Sequence, residues 1–101
     1  MYANGEGVPE DDAEAVKWYR LAADQGDANA QFNLGVIYNN GEGVPRNYVT
    51  AYVWFNIAAA SGQEVAINAR SRVEQQMTRS QIFEAQQLST EIFEKIQQGN
   101  Q

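Results

Sequence analysis

With no histidine and no cysteine among its 101 residues, the chain can do chemistry only with carboxylates, Lys, Arg, Tyr, Ser and Thr. Those two absences remove disulfides, thiolate and imidazole metal sites, and every triad built on His. Carboxylates crowd together at Asp11, Asp12 and Glu14, but they read as the start of a helix, where anions favour the macrodipole. A calcium loop across Glu6–Asp12 would need alternating Asp or Asn and a distal Glu, and that pattern is missing. Lys17 and Lys95 are far apart, and neither adjoins a Ser in a reactive pattern. The Gly41-Glu42-Gly43 turn has no third Gly at dinucleotide spacing, no following Lys-Ser/Thr, and an acid where a phosphate would sit. Trp18 and Trp54 could stack on a ligand, but their shared repeat spacing makes both core knobs. The residues therefore predict no enzyme, no metal site and no cofactor.

What remains is a surface that binds. Hydrophobic residues make up 44% and charged residues 20%, ordinary values for one small globular domain or a piece of one. No apolar run approaches the ~20 residues of a membrane span, and no basic segment precedes an apolar one as in a signal peptide. The net charge is −6, and residues 1–27 alone carry −5. Phosphate recognition needs clustered Lys and Arg. Seven scattered basic residues supply no such patch, so nucleic acid and anionic membranes are not expected partners. The acidic N-terminal quarter serves solubility and helix capping, or else docks a basic partner.

An internal repeat organises the chain. Tyr2 to Pro9 (YANGEGVP) recurs as Tyr38 to Pro45 (YNNGEGVP), an offset of 36. The offset also pairs Ala15 with Ala51, Trp18 with Trp54, Tyr19 with Phe55, Leu21 with Ile57, and Gly26 with Gly62. Twelve of the 25 positions between 2–26 and 38–62 are identical, and a period in the thirties means stacked helix pairs. Ala15, Trp18, Tyr19 and Ala22 lie on one face of a helix over about 11–25, and Ala51, Trp54, Phe55 and Ala58 on one face over about 47–61. We call these B helices. Asp11 or Asp12 and Asn47 are their natural N-caps.

Asp27 caps an A helix over about 28–40, with Ala30, Leu34, Ile37 and Tyr38 apolar. Gly35 inside it costs about 1 kcal/mol relative to Ala, which predicts close approach of a neighbouring helix. Gly41 ends the A helix in the left-handed region, and Pro45 delays the next helix. Past Gly62 the repeat decays: Arg70, Ser71 and Glu74 stand where Leu34, Gly35 and Tyr38 stood. Thr78 and Gln81 form a capping box. A closing helix follows over about 79–97, with Ile82, Phe83, Ala85, Leu88, Ile92, Phe93 and Ile96 apolar and a polar opposite face.

The pattern Ala30…Leu34-Gly35…Tyr38…Gly41-Glu42-Gly43-Val44…Ala51…Trp54…Ala58-Ala59…Gly62 resembles the Sel1-like repeat family, a relative of the tetratricopeptide repeats. Met77 to Gln86 also resembles the closing helix of bacterial Sel1-like proteins. The resemblance implies an all-α fold, a right-handed αα-superhelix of antiparallel helix pairs with a C-terminal capping helix. It divides the chain into a partial repeat at 2–26, a complete one at 27–62, a degenerate capping unit at 63–98 and a tail at 99–101. It also implies scaffold or adaptor work in protein complexes. Some relatives carry a disulfide in each repeat; without Cys, this chain does not share that property.

By analogy with tetratricopeptide repeats, A-helix residues turned away from the B helix line a concave groove. These are Asn29, Phe32, Asn33, Val36 and Asn39 or Asn40 on the first A helix, and Val65, Asn68, Arg72 and Gln75 on the next. Asn carries both donors and an acceptor, so these residues either clamp the backbone of an extended peptide or are simply solvated. Partner binding in this groove is one expectation, and an idle structural or capping segment of a longer repeat protein is the other. The first repeat keeps only Met1 to Asn4 of its A helix, so the chain reads as a piece of a longer solenoid or as one with a late start. Either way, the first B helix should lack part of its cover and self-associate through the N-terminal edge, with Met1 and Tyr2 in the contact.

Overall fold

The computed structural model describes residues 9–99, with side chains from residue 13 onward. Five helices follow one another: α1 Pro9–Asp24, α2 Ala28–Asn40, α3 Tyr48–Ala60, α4 Val65–Glu74 and α5 Arg79–Gly99. No strand occurs among the described residues. The chain measures 36 × 35 × 21 Å. A helix with its side chains is about 10–12 Å across, so the short dimension holds two helix layers. The all-α solenoid predicted by the repeat is the fold.

The helix boundaries follow from capping. Asp27 accepts a hydrogen bond from the Ala30 amide at 2.9 Å, and Asn47 accepts one from the Thr50 amide at 3.0 Å. Each satisfies one amide that has no partner within its helix. The Thr78 amide donates to Gln81 Oε1 at 2.9 Å, and the Gln81 amide donates back to Thr78 Oγ1 at 3.1 Å. This is the reciprocal capping box expected at α5. Gly41 closes α2 with φ +72°, and its amide donates to the Ile37 carbonyl at 2.8 Å. One cap differs from expectation. Helix α1 begins at Pro9, so Asp11 and Asp12 lie inside its first turn, because Pro is pre-shaped for that opening position.

Helix α3 is the hub, packing against α2, α4 and α5, while α1 packs on α2. It has no charged residue, and Ala51, Tyr52, Val53, Trp54, Phe55, Ile57 and Ala58 are all buried. A helix that is apolar all round belongs at the centre of a fold. Leu34 and Ile37 on α2, Val73 on α4, and Ala85 and Ile96 on α5 complete the core. Gly35 is buried beneath the Phe55 ring, which a Cβ at this position would overlap. The close approach predicted for this glycine is therefore that of Phe55. Where the decayed unit replaces Leu34 with Arg70, the guanidinium donates instead to Asn56 Oδ1 at 2.6 Å.

Three expectations about the core need correction. Trp18 is 61% exposed, not a core knob, although Trp54 at the same repeat position is buried. Phe83 and Leu88 are exposed on α5, because that helix lays only one narrow stripe on α3. Ser89 takes a buried place on the stripe, its hydroxyl donating to the Ala85 carbonyl at 2.7 Å.

Candidate functional site

A cleft of about 710 Å³ opens between the two successive A helices. Phe32, Val36, Asn39 and Asn40 form the α2 wall, and Ala69, Arg72, Val73 and Gln76 form the α4 wall. Phe55 reaches up from α3, and Arg46 and Tyr48 complete the rim. The Phe32 and Phe55 rings lie 5.5 Å apart at 45°, a tilted aromatic pair that gives the cleft an apolar floor. The Arg46 guanidinium lies 5.4 Å from the centre of the Tyr48 ring. The cleft is open to solvent, and because Phe55 and Val73 are themselves nearly buried, its exposed apolar surface comes mainly from Phe32 and Val36.

Of the residues expected in the groove, Phe32, Val36, Asn40 and Arg72 line this cleft, and Asn39 lines it beside Asn40. Asn29, Asn33, Val65, Asn68 and Gln75 are not among its walls. Asn29 sits at the start of α2, its Oδ1 accepting from Gln63 Nε2 at 2.6 Å. Asn33 is half-buried, whereas Val65, Asn68 and Gln75 are exposed on α4 and just past its end.

The division has a geometric cause. At an offset of 36, the α4 wall residues Ala69, Arg72, Val73 and Gln76 correspond to Asn33, Val36, Ile37 and Asn40. The two walls share the positions of Val36 and Asn40 but differ beside them, because neighbouring helices turn different, overlapping flanks to the cleft between them. The analogy assigned the same repeat positions to both helices, so it named Phe32, Val36, Asn39 and Asn40 on α2 and Arg72 on α4, added Asn29 and Asn33, which are not walls, and missed Ala69, Val73 and Gln76. Arg46, Tyr48 and Phe55 were missed because they belong to the connector and the B helix. Phe55 had a signal in the glycine opposite it, since Gly35 only makes sense if a large side chain lies against α2.

The polar groups of the cleft are amides, one phenol and two guanidiniums, which bind by hydrogen bonding and charge. No cluster of acidic residues that could hold a metal occurs among the described residues, and none of the described helices is long and apolar enough to cross a membrane.

Comparison with known proteins agrees with this architecture. The Sel1 repeat profile matches residues 1–27 and 28–63. Among solved structures, the chain is similar to c5321, a protective antigen of uropathogenic Escherichia coli strains with an SLR fold. The TM-score is 0.83 and the sequence identity 39%, over 91% of this chain and 20% of that one. The chain thus spans about a fifth of that relative's length. No curated protein matches it at a comparable level. Sel1 repeats generally work as protein-interaction modules and are typically non-catalytic scaffolds. With two tandem matches covering more than half of the sequence and the helix pairs stacked accordingly, the chain belongs to the Sel1 repeat family.

Proposed function

We propose that the chain binds an extended peptide segment of a protein partner in the cleft between α2 and α4. The observation that carries this reading is the open cleft of about 710 Å³, with its Phe32–Phe55 floor and its rim of Asn39, Asn40, Arg46 and Arg72. An apolar side chain of the partner fills the floor, and the amides and guanidiniums meet its backbone and polar groups. A cleft already formed by packed helices needs little ordering on binding. The test is selection of ten-residue peptides from a random display library, followed by binding to Val36→Trp. Val36 is only half-buried, so Trp there fills the cleft from its open side. Loss of binding with an unchanged helical spectrum supports the cleft. Failure of the wild-type chain to enrich any peptide leaves the other reading, a structural segment with no ligand of its own.

A second reading rests on a separate observation. Trp18 and Leu21 are both exposed on α1, and their flank has no cover among the described residues. Self-association through this N-terminal edge would hide it. Met1 and Tyr2, expected in that contact, lie outside the described residues.

A further inference from the structure

Charge is distributed unevenly around the cleft. The chain carries 13 acidic and 7 basic residues, yet the cleft is lined by two arginines and no carboxylate. Of the described arginines elsewhere, Arg20 pairs with Asp24 at 3.4 Å and Arg70 donates to Asn56, while Arg79 stands exposed at the start of α5, away from the cleft. Arg72 has no hydrogen bond, ion pair or ring contact among the described residues. Arg46 is held only by its face, over Tyr48, which leaves the N–H donors along its edge available. Both arginines are exposed. Arg72 stands on the α4 wall and Arg46 on the connector leading into α3, so two separated acids are served from different elements. Glu42 is occupied just outside the walls, accepting from Asn40 Nδ2 at 3.3 Å.

From this pattern we propose that the occupant of the cleft is an acidic peptide segment, with Asp or Glu side chains beside a large apolar residue. The inference rests on the peptide-binding reading above and adds the partner's chemistry. The apolar residue packs on the half-buried Phe32 and Val36, beneath which Phe55 and Val73 lie buried. The flanking carboxylates accept charge-assisted hydrogen bonds from Arg72 and Arg46, the planar fork of Arg being suited to both oxygens of a carboxylate. The same arrangement rejects basic segments. The net charge of −6 lies mostly in residues 1–27, which carry −5, so acidic ligands are repelled there and not at the cleft.

The experiment uses the whole chain and ten-residue random peptides displayed between flanking linkers, so that no peptide offers a free C-terminal carboxylate. Enriched peptides should contain Asp or Glu next to Phe, Leu, Ile, Trp or Met. The anisotropy of one labelled enriched peptide should show its affinity falling as salt rises. Arg72→Glu and Arg46→Glu should each weaken it about tenfold or more, with helical content unchanged because both side chains are exposed. Enrichment of neutral or basic peptides, or full affinity in both variants, overturns the acidic assignment while leaving peptide binding intact. No enrichment at all overturns both.

Discussion

Trp18 and Trp54 occupy the same position in successive repeats, yet Trp18 is 61% exposed and Trp54 is 3% exposed. The pair three residues along behaves alike, with Leu21 57% and Ile57 1% exposed. The residue types are alike; what differs is the packing, since among the described residues α1 packs mainly on α2 whereas α3 packs against α2, α4 and α5. Trp54 has Arg20 of the preceding B helix over its ring, 5.4 Å from the ring centre, besides helices packed around α3. The burial of a B-helix tryptophan is therefore a property of the stack and not of the repeat.

The two tryptophans should separate cleanly in a melting experiment. Trp54→Ala removes a buried side chain at a cost of about 3–5 kcal/mol, which is close to the whole stability of a small domain. Trp18→Ala should change stability by less than about 0.5 kcal/mol, as surface substitutions do. Thermal denaturation followed by circular dichroism measures both. Equal melting points for the two variants would contradict the burial pattern.

Gly35 and Phe55 should be energetically coupled. Ala normally improves a helix interior by about 1 kcal/mol over Gly. Here its Cβ overlaps the Phe55 ring, and overpacking of this kind costs about 1–3 kcal/mol. Gly35→Ala should therefore lower the melting point, against the propensity trend. Phe55→Leu leaves room for the methyl, so Gly35→Ala should cost less in that background. A double-mutant cycle with no interaction energy would mean that the ring moves aside freely.

The local signals in the sequence were the readable ones. Asp27, Asn47, Gly41 and the Thr78–Gln81 box each act on backbone groups within a few residues, so their roles do not depend on what packs nearby. Exposure of Trp18, Leu21, Phe83 and Leu88 depends on which neighbour is present, and that is not written in the helix itself. Gln31 shows the same limit. It reads as a solvated polar residue but is completely buried, its Nε2 donating to the Ala23 carbonyl at 3.0 Å. That carbonyl lies in the last turn of α1, where acceptors have no partner within the helix. The cleft was half legible for a related reason: periodicity tells which face of α2 is free, but not that α4 turns a shifted flank, with Ala69 and Val73, towards it.

The capping box should contribute measurably to α5. Thr78→Ala leaves the Gln81 amide without its side-chain acceptor, and loss of such a cap costs about 1 kcal/mol. For a domain of this size, this amounts to a melting point lower by about 4–8 °C. Thr78→Ser keeps the hydroxyl and should stay near wild type. A Ser variant as unstable as the Ala variant would show that the Thr methyl, and not the cap, matters.

Self-association through α1 should respond to salt in a direction that identifies its cause. The exposed Trp18 and Leu21 provide apolar contact area, while residues 1–27 carry a charge of −5. Two such edges repel each other across exposed side chains. Salt screens exposed charges over about 10 Å at 0.1 M, so it weakens this repulsion and leaves apolar burial in place. Sedimentation at about 20 mM and about 300 mM NaCl should therefore find more dimer at the higher salt. Trp18→Ser should reduce association at both concentrations without altering the melting point of the monomer. Association that weakens with salt would point to ion pairs between the edges, and a monomer under both conditions at high protein concentration would show that the α1 flank is not a self-association surface.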